Sequence, residues 1–270
     1  TFDDNTSQSA LRLLMRVDVA LGFTDAKIGN AVRYALDAFV RSQYPNGAWP
    51  QRYVDYPVPE QYPVQRASYP ESWPREYPRA DYRDYYTFND NAIVDVIDVM
   101  LEASRIYGDT RFGEAAMAGG DFMLLAQMPE PQPTWAQQYN GQMQPAWARR
   151  FEPASVTGGE SFGVMGALLG LYIETGADRF LEPLEPALQW ARRSLLPDGR
   201  LARFYELHTN RPLYFVRDTY ELTYSDADMP THYSFKVSGA ARIESIETTL
   251  RRIREEGRQV LLGERRQRFR

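Results

Sequence analysis

The chain predicts an all-α fold made of three helical hairpins, and three observations carry that reading. The turn sequences recur: Gly22-Phe23-Thr24-Asp25, Tyr107-Gly108-Asp109-Thr110-Arg111-Phe112 and Thr175-Gly176-Ala177-Asp178-Arg179-Phe180. The exits recur as well: Trp49-Pro50-Gln51-Arg52-Tyr53, Trp135-Ala136-Gln137-Gln138-Tyr139 and Leu201-Ala202-Arg203-Phe204-Tyr205. Between turn and exit, apolar residues keep a helical spacing. Repeated helical hairpins cannot bury their faces alone; they stack into a solenoid or a toroid.

The first helix is expected from Ser7 to Leu21, with Leu11, Leu14, Val17 and Leu21 on one stripe and Gly22 to end it. Thr24 or Asp25 caps a second helix that turns Ile28, Ala31, Ala35 and Phe39 inward and stops at Tyr44-Pro45-Asn46-Gly47. The loop Ala48–Tyr86 holds eight Tyr and seven Pro, too long and too aromatic for a linker. A third helix starts near Asp90 and carries Ile93, Val94, Ile97, Met100 and Leu101 to Gly108. Asp109 or Thr110 caps a fourth, from Arg111 to Gln127. The stretch from Met128 to Ser161 is not helical, because Pro129, Pro131, Pro133, Pro145 and Pro153 interrupt it. Its Trp135, Tyr139, Trp147 and Phe151 argue against a disordered linker, since such side chains are costly to leave in water. A fifth helix, about Ser161 to Thr175, is apolar nearly all round and therefore buried. A sixth runs from about Arg179 to Leu195, with Pro183 in its first turn. Leu201–Leu207 and Leu213–Val216 alternate like short strands, and Ser238 to Glu256 forms a charged amphipathic helix.

Composition narrows the function. The formal charge of −5 implies no bulk attraction to nucleic acid, although basic residues gather in the last twenty positions. No apolar run approaches the ~18 residues of a membrane span. Cysteine is absent, which excludes disulfides and thiolate metal sites and fits a bacterial protein working outside the cytoplasm, secreted or periplasmic. No signal peptide is visible, as expected of a mature or trimmed end. Two histidines make a His-rich zinc site unattractive, while 18 Tyr suit either a wet aromatic binding face or ordinary core packing. The length admits one large domain or two small ones. The chain is read as a single domain over 1–270, acting as a monomer, with its helical end from about 238 to 270 packed on the stack or extending from it.

In a hairpin stack all turns lie at one end, and all helix starts and exits at the other. One face therefore gathers Asp4-Asn5, Gln51, Asn89-Asp90-Asn91, Gln137, Arg149, Glu160 and Arg203, together with helix N-termini that favour anions. Asp90 can be a plain N-cap or an oxygen ligand of the kind Ca²⁺ prefers, with Asp4-Asn5 standing at the same place in the first hairpin. Arg149, Arg150, Arg203 and Arg217 can be surface ion-pair partners, or can grip carboxylates bidentately.

Five segments carry a resemblance. Asp4-Asn5, Tyr44-Pro45-Asn46-Gly47-Ala48-Trp49-Pro50-Gln51, Thr87-Phe88-Asn89-Asp90-Asn91-Ala92, Trp147-Ala148-Arg149-Arg150-Phe151-Glu152-Pro153, and Arg203-Phe204-Tyr205-Glu206-Leu207 with Thr209-Asn210-Arg211-Pro212 resemble the pectate lyases of polysaccharide lyase family 10, from about residue 2 to about 225. The resemblance implies an incomplete three-hairpin α/α toroid with long aromatic loops and a few short strands. It implies calcium-assisted anti β-elimination of polygalacturonate, with Ca²⁺ as cofactor and no nucleic-acid or membrane partner. By position, Asp90 and Asp4 fall in the metal region, Asn5, Arg149 and Arg203 contact substrate, and Arg217 is the arginine base. Val216 stands where the family tends to have Gly, and Thr219–Lys236 departs from the pattern.

The chemistry agrees with these residues. The proton to be removed lies α to a carboxylate, so cations must neutralise that carboxylate as charge develops. An arginine base needs help, because its reference pKa exceeds ~12. Two other classes stay open: a toroidal glycoside hydrolase using Asp90 and Glu160 as acid and base, and a non-catalytic pectin-binding module, against which the arginine set argues.

Overall fold

The structure is a computed structural model that describes residues 1–52 and 55–267; Tyr53, which ends the first exit motif, and residues 268–270 of the basic tail lie outside the described residues. Among the described residues eight α-helices form the frame: α1 (Thr6–Ala20), α2 (Ala26–Arg41), α3 (Ala92–Tyr107), α4 (Thr110–Ala126), α5 (Glu160–Thr175), α6 (Leu184–Arg193), α7 (Ala240–Glu256) and α8 (Arg258–Gln267). The hairpins are α1–α2, α3–α4 and α5–α6, and α3 packs against both α1 and α5, so the fold is an incomplete α/α toroid. Asp25 and Asp109, rather than the neighbouring threonines, cap α2 and α4. Gly108 and Gly176 end α3 and α5 in the left-handed conformation at φ 67° and 75°.

Details differ from the periodicity reading. In α1 the buried stripe is Gln8, Leu11, Met15 and Asp18; Leu14 only flanks it and Leu21 is exposed. In α2 the stripe turns by one residue, to Gly29, Val32, Leu36 and Phe39, leaving Ala31 in solvent. These edge helices face a single neighbouring hairpin, α3–α4, and that partner selects which of two adjacent stripes is covered. The sixth helix is split. A 3-10 turn spans Asp178–Phe180 and Pro183 is the N-cap residue of α6, because Pro183 cannot donate to a continued ladder. The expected strand Leu201–Leu207 breaks at Arg203 into β4 (Arg200–Ala202) and β5 (Phe204–Tyr205).

The loops add β1 (Tyr86–Thr87), β2 (Gln138–Tyr139), β3 (Val156–Thr157), β6 (Pro212–Phe215), β7 (Leu222–Thr223) and β8 (Lys236–Ser238). All pairs are antiparallel: β1–β2, the order β3-β5-β6-β7, and β4–β8. The stretch 128–161 is thus packed, with Trp135, Tyr139 and Trp147 in the core.

The repeat persists down to single hydrogen bonds. Trp49 Nε1 donates to the Phe39 carbonyl and Trp135 Nε1 to that of Met123, both at 2.8 Å. Tyr139 donates its hydroxyl to the Ala126 carbonyl and accepts from the Ala136 N–H; Tyr205 does the same with Ser194 and Ala202. Each hairpin then closes on itself: Phe2, Phe88 and Gly158 donate backbone N–H groups to the carbonyls of Gln51, Gln137 and Arg203, at 2.8, 2.8 and 2.9 Å.

After β8 the chain turns into α7, which packs on α5 and α6; α8 folds back onto α5. Leu261 and Leu262 are buried, Arg258 Nη1 caps the last turn of α5 at the Ile173 carbonyl (2.7 Å), and Arg265 joins Asp98 of α3 (2.7 Å) to Glu174 of α5 (3.2 Å). Those contacts occupy several of the tail's basic residues.

The first exit depends on Gly47. At φ +92° a Cβ there would run into the Ala118 carbonyl of α4. Gly47→Ala is therefore expected to lose roughly 2–4 kcal/mol, from backbone strain plus overpacking, read as a lower thermal midpoint with the helical circular dichroism retained below it.

Candidate active site

Two Asp-Asn pairs open the site. Asp4 holds φ 51°, ψ 31° and Asp90 φ 52°, ψ 28°, and Asn5 and Asn91 follow, each at φ 55°. The left-handed region costs an L-residue about 1–2 kcal/mol and is tolerated best by Asn and Asp. Two such residues in succession, at equivalent points of the first two hairpins, show packing overriding local preference. The plain N-cap reading of Asp90 fails, since no side chain caps either helix start. Instead the two kinks turn their carboxylates toward each other. Ligand oxygens of Asp3, Asp4 and Asp90 all lie within 4.8 Å of one another.

Asp3 is fixed by Gln51 Nε2 at 2.7 Å and by Arg52 at 3.6 Å, and Asp90 accepts from Asn89 Nδ2. Partial desolvation in the cleft, and then the charges of Asp4 and Asp3, raise the Asp90 pKa above the usual aspartate value; Arg149 opposes this. Three crowded carboxylates, one of them reluctant to ionise, form an all-oxygen set that suits a hard divalent cation such as Ca²⁺.

The cluster lines a cleft of about 400 Å³ together with Arg149, Glu152 and Tyr233. Arg149 makes a forked pair with the buried Glu152, at 2.8 and 2.6 Å. That pairing holds the guanidinium pKa above its ordinary value despite partial burial. Arg203 pairs with buried Glu160 at 2.5 Å. Burial alone would raise the Glu160 carboxyl, but Arg203 and the hydroxyl of Thr157 outweigh it and hold the pKa below the usual range. A carboxyl kept ionised in this way cannot serve as a proton donor near neutrality. Its sign also makes Glu160 stabilising above the unfolded carboxylate pKa, a contribution lost as pH falls through the folded value.

A chain of hydrogen bonds links both halves. Asn89 donates to Asp90. Gln137 Nε2 donates to Asn89 Oδ1 (2.7 Å), Tyr233 Oη (2.9 Å) and Glu160 Oε1 (3.2 Å), and Tyr233 donates to Glu152 Oε1 (3.0 Å). Asp4, Asp90 and Arg149 thus meet in one cleft; Arg203 is not among the lining residues and is linked to them through Gln137 and Glu160. Asn5 lies at the start of α1 and is not among the lining residues. Arg217 is not among them either: half exposed, it pairs with Asp228 at 3.0 Å, beyond the end of β6.

Sequence reasoning passed over three participants. Asp3 was legible, because Phe2-Asp3-Asp4-Asn5 parallels Phe88-Asn89-Asp90-Asn91. Glu152 sits three residues beyond Arg149 in an irregular turn, where spacing carries no rule. Tyr233 is remote in the chain and inside the segment that departs from the family pattern.

Because the folded pKa of Asp90 is raised, its ionisation costs stability. The cost is absent in acid, grows as pH rises through the unfolded aspartate range, and is complete above the folded value. Asp90→Asn is expected to melt about 1–3 °C above the unsubstituted protein at neutral pH in chelator, with the difference closing in acid when followed by differential scanning calorimetry.

A sequence-family model described as pectic acid lyase matches residues 1–200. A family 10 polysaccharide lyase from Cellvibrio cellulosa superposes with TM-score 0.71 at 25% identity, covering 92% of this chain and 80% of that chain. An aspartate-to-alanine variant of a family 10 polysaccharide lyase from the same organism, in complex with trigalacturonic acid, superposes with TM-score 0.68 at 24% identity, covering 90% and 79%. Comparison with curated protein sequences gives no match.

Proposed function

The chain belongs to the pectic acid lyase family, and from that premise we propose that it cleaves polygalacturonate by calcium-assisted anti β-elimination with an arginine as base. The observation that carries the reading is the cleft itself, where three carboxylates within 4.8 Å face Arg149. A complex of trigalacturonic acid with a protein of the same fold supports the substrate class.

Asp3, Asp4 and Asp90 would hold Ca²⁺, which when bound would withdraw charge from the substrate carboxylate and cancel the support that ionised Asp90 gives the Arg149 cation. Arg203, kept protonated by Glu160, supplies a fixed positive charge for a second carboxylate. The base removes the proton α to the carboxylate as the bond to the leaving sugar oxygen breaks. The resemblance gives that role to Arg217. The geometry favours Arg149, because Arg149 lines the cleft with Asp90 whereas Arg217 is occupied by Asp228 outside it. Arg149 must lose a proton that Glu152 helps it keep, so turnover should climb steadily as pH rises from 7 to about 10.

The reading places the enzyme outside the cytoplasm, secreted or periplasmic, supported by a polymeric substrate and the absence of cysteine. The same reading takes it to act as a monomer. Among the described residues no helix is long and apolar enough to cross a membrane.

Ultraviolet absorbance of the unsaturated product, followed on polygalacturonate, tests the reading. Chelator is expected to abolish the signal and calcium to restore it. Arg149→Ala should lower turnover by ~10²–10⁴, the usual cost of a lost general base, while Arg217→Ala keeps more than about a tenth of it. The reverse ranking would return the base to Arg217, and reducing ends without unsaturation would mark a hydrolase.

A further inference from the structure

Tyr233 lies beyond the residues that the family model matches, in the segment Thr219–Lys236 that departs from the family pattern. Yet it touches both arginines and Glu152. The guanidinium carbon of Arg203 sits 4.4 Å from its ring centroid and that of Arg149 5.7 Å, so both cations lean on one ring. The ring is itself wedged between Phe151 (4.8 Å) and Phe235 (5.5 Å), with Phe204 stacked farther off at 6.4 Å. Its hydroxyl donates to Glu152 Oε1, the same oxygen that accepts from Arg149 Nη2, and accepts from Gln137 Nε2. Burial and the charges of Glu152 and Glu160 push the phenol pKa well up, which keeps the group a donor.

We propose that Tyr233 is the positioning residue that sets the spacing of Arg149 and Arg203. Its ring is the spacer between the two cations, and its hydroxyl fixes the carboxylate that orients Arg149. Arg149 meets one acidic sugar at the proton α to its carboxylate and Arg203 meets the carboxylate of another, so a set spacing makes the site prefer an oligomer over a single acidic sugar. The inference rests on the proposed function, in which Arg149 is the base and Arg203 grips a second carboxylate.

A structural prop alone would not change that preference, which supplies the test. The affinities of galacturonate and of saturated trigalacturonate are measured by chemical-shift titration for the unsubstituted protein, Tyr233→Phe and Tyr233→Leu, with turnover on polygalacturonate alongside. Tyr233→Leu should lose about tenfold or more in trimer affinity, the loss of one of two linked contacts, with monomer affinity within about twofold. Tyr233→Phe keeps the ring, so trimer affinity should stay within about threefold while turnover falls several-fold from the loosened Glu152. A folded Tyr233→Leu with an unchanged trimer-to-monomer ratio would overturn the proposal. If that variant does not fold, a Tyr233→Phe protein with wild-type turnover overturns it instead. An unsubstituted protein that neither binds trigalacturonate nor cleaves the polymer would sink the functional reading first, and this inference with it.

Discussion

In every hairpin the residue that leaves the second helix takes hold of the start of the first. The backbone carbonyls of Gln51, Gln137 and Arg203 receive the N–H groups of Phe2, Phe88 and Gly158. Their side chains reach one and two residues further, to Asp3, Asn89 and Glu160. Helix starts leave backbone donors unsatisfied, and burying them without partners would be costly. One closure therefore solves a folding problem and builds the site, because it holds the entry turns against the cleft. The left-handed kinks at Asp4 and Asp90 exist only because this clamp and the apposition of the two turns outweigh their local cost.

The third hairpin uses the same position for a different end. Where the first two present Asp-Asn in the left-handed region, the third enters α5 directly from Gly159 with Glu160, and the exit residue is a cation instead of an amide. The pairing places two charges nearly out of water, a costly arrangement unless all partners are present. Thr157, Gln137 and Arg203 together meet that requirement for Glu160. Glu152 is met by Arg149 and Tyr233. The repeat thus supplies carboxylates in its first two copies and a cation in its third, so local positive charge exists although the protein's net charge is −5.

The C-terminal helices complete this arrangement from behind. Apolar burial of Leu261 and Leu262, with Arg258 tied to α5 and Arg265 to both α3 and α5, fixes α8 on the frame. Before α7 begins, β8 pairs with β4 beside Arg203, and the chain leading into it delivers Tyr233. The tail's packing and the arginine wall are therefore mechanically connected through one short strand.

Repeats determined the architecture from sequence alone, because turn and exit motifs are local and each hairpin obeys the same capping and aromatic rules. The shared face of Asp4, Asp90, Gln51, Gln137 and Arg203 followed from the same periodicity, since stacking leaves the hairpin no other end for its loops. Tertiary structure decided what lies within the loops. Which stripe of α1 and α2 is buried depended on a partner helix; the conformations of Asp4 and Asp90 depended on the clamp at each exit; and the meeting of Glu152, Tyr233 and Arg149 depended on side chains from distant segments converging in three dimensions. A motif position gives Arg217 its place in the chain, while the hairpin after β6, free of the repeat, sets its side chain's partner, Asp228.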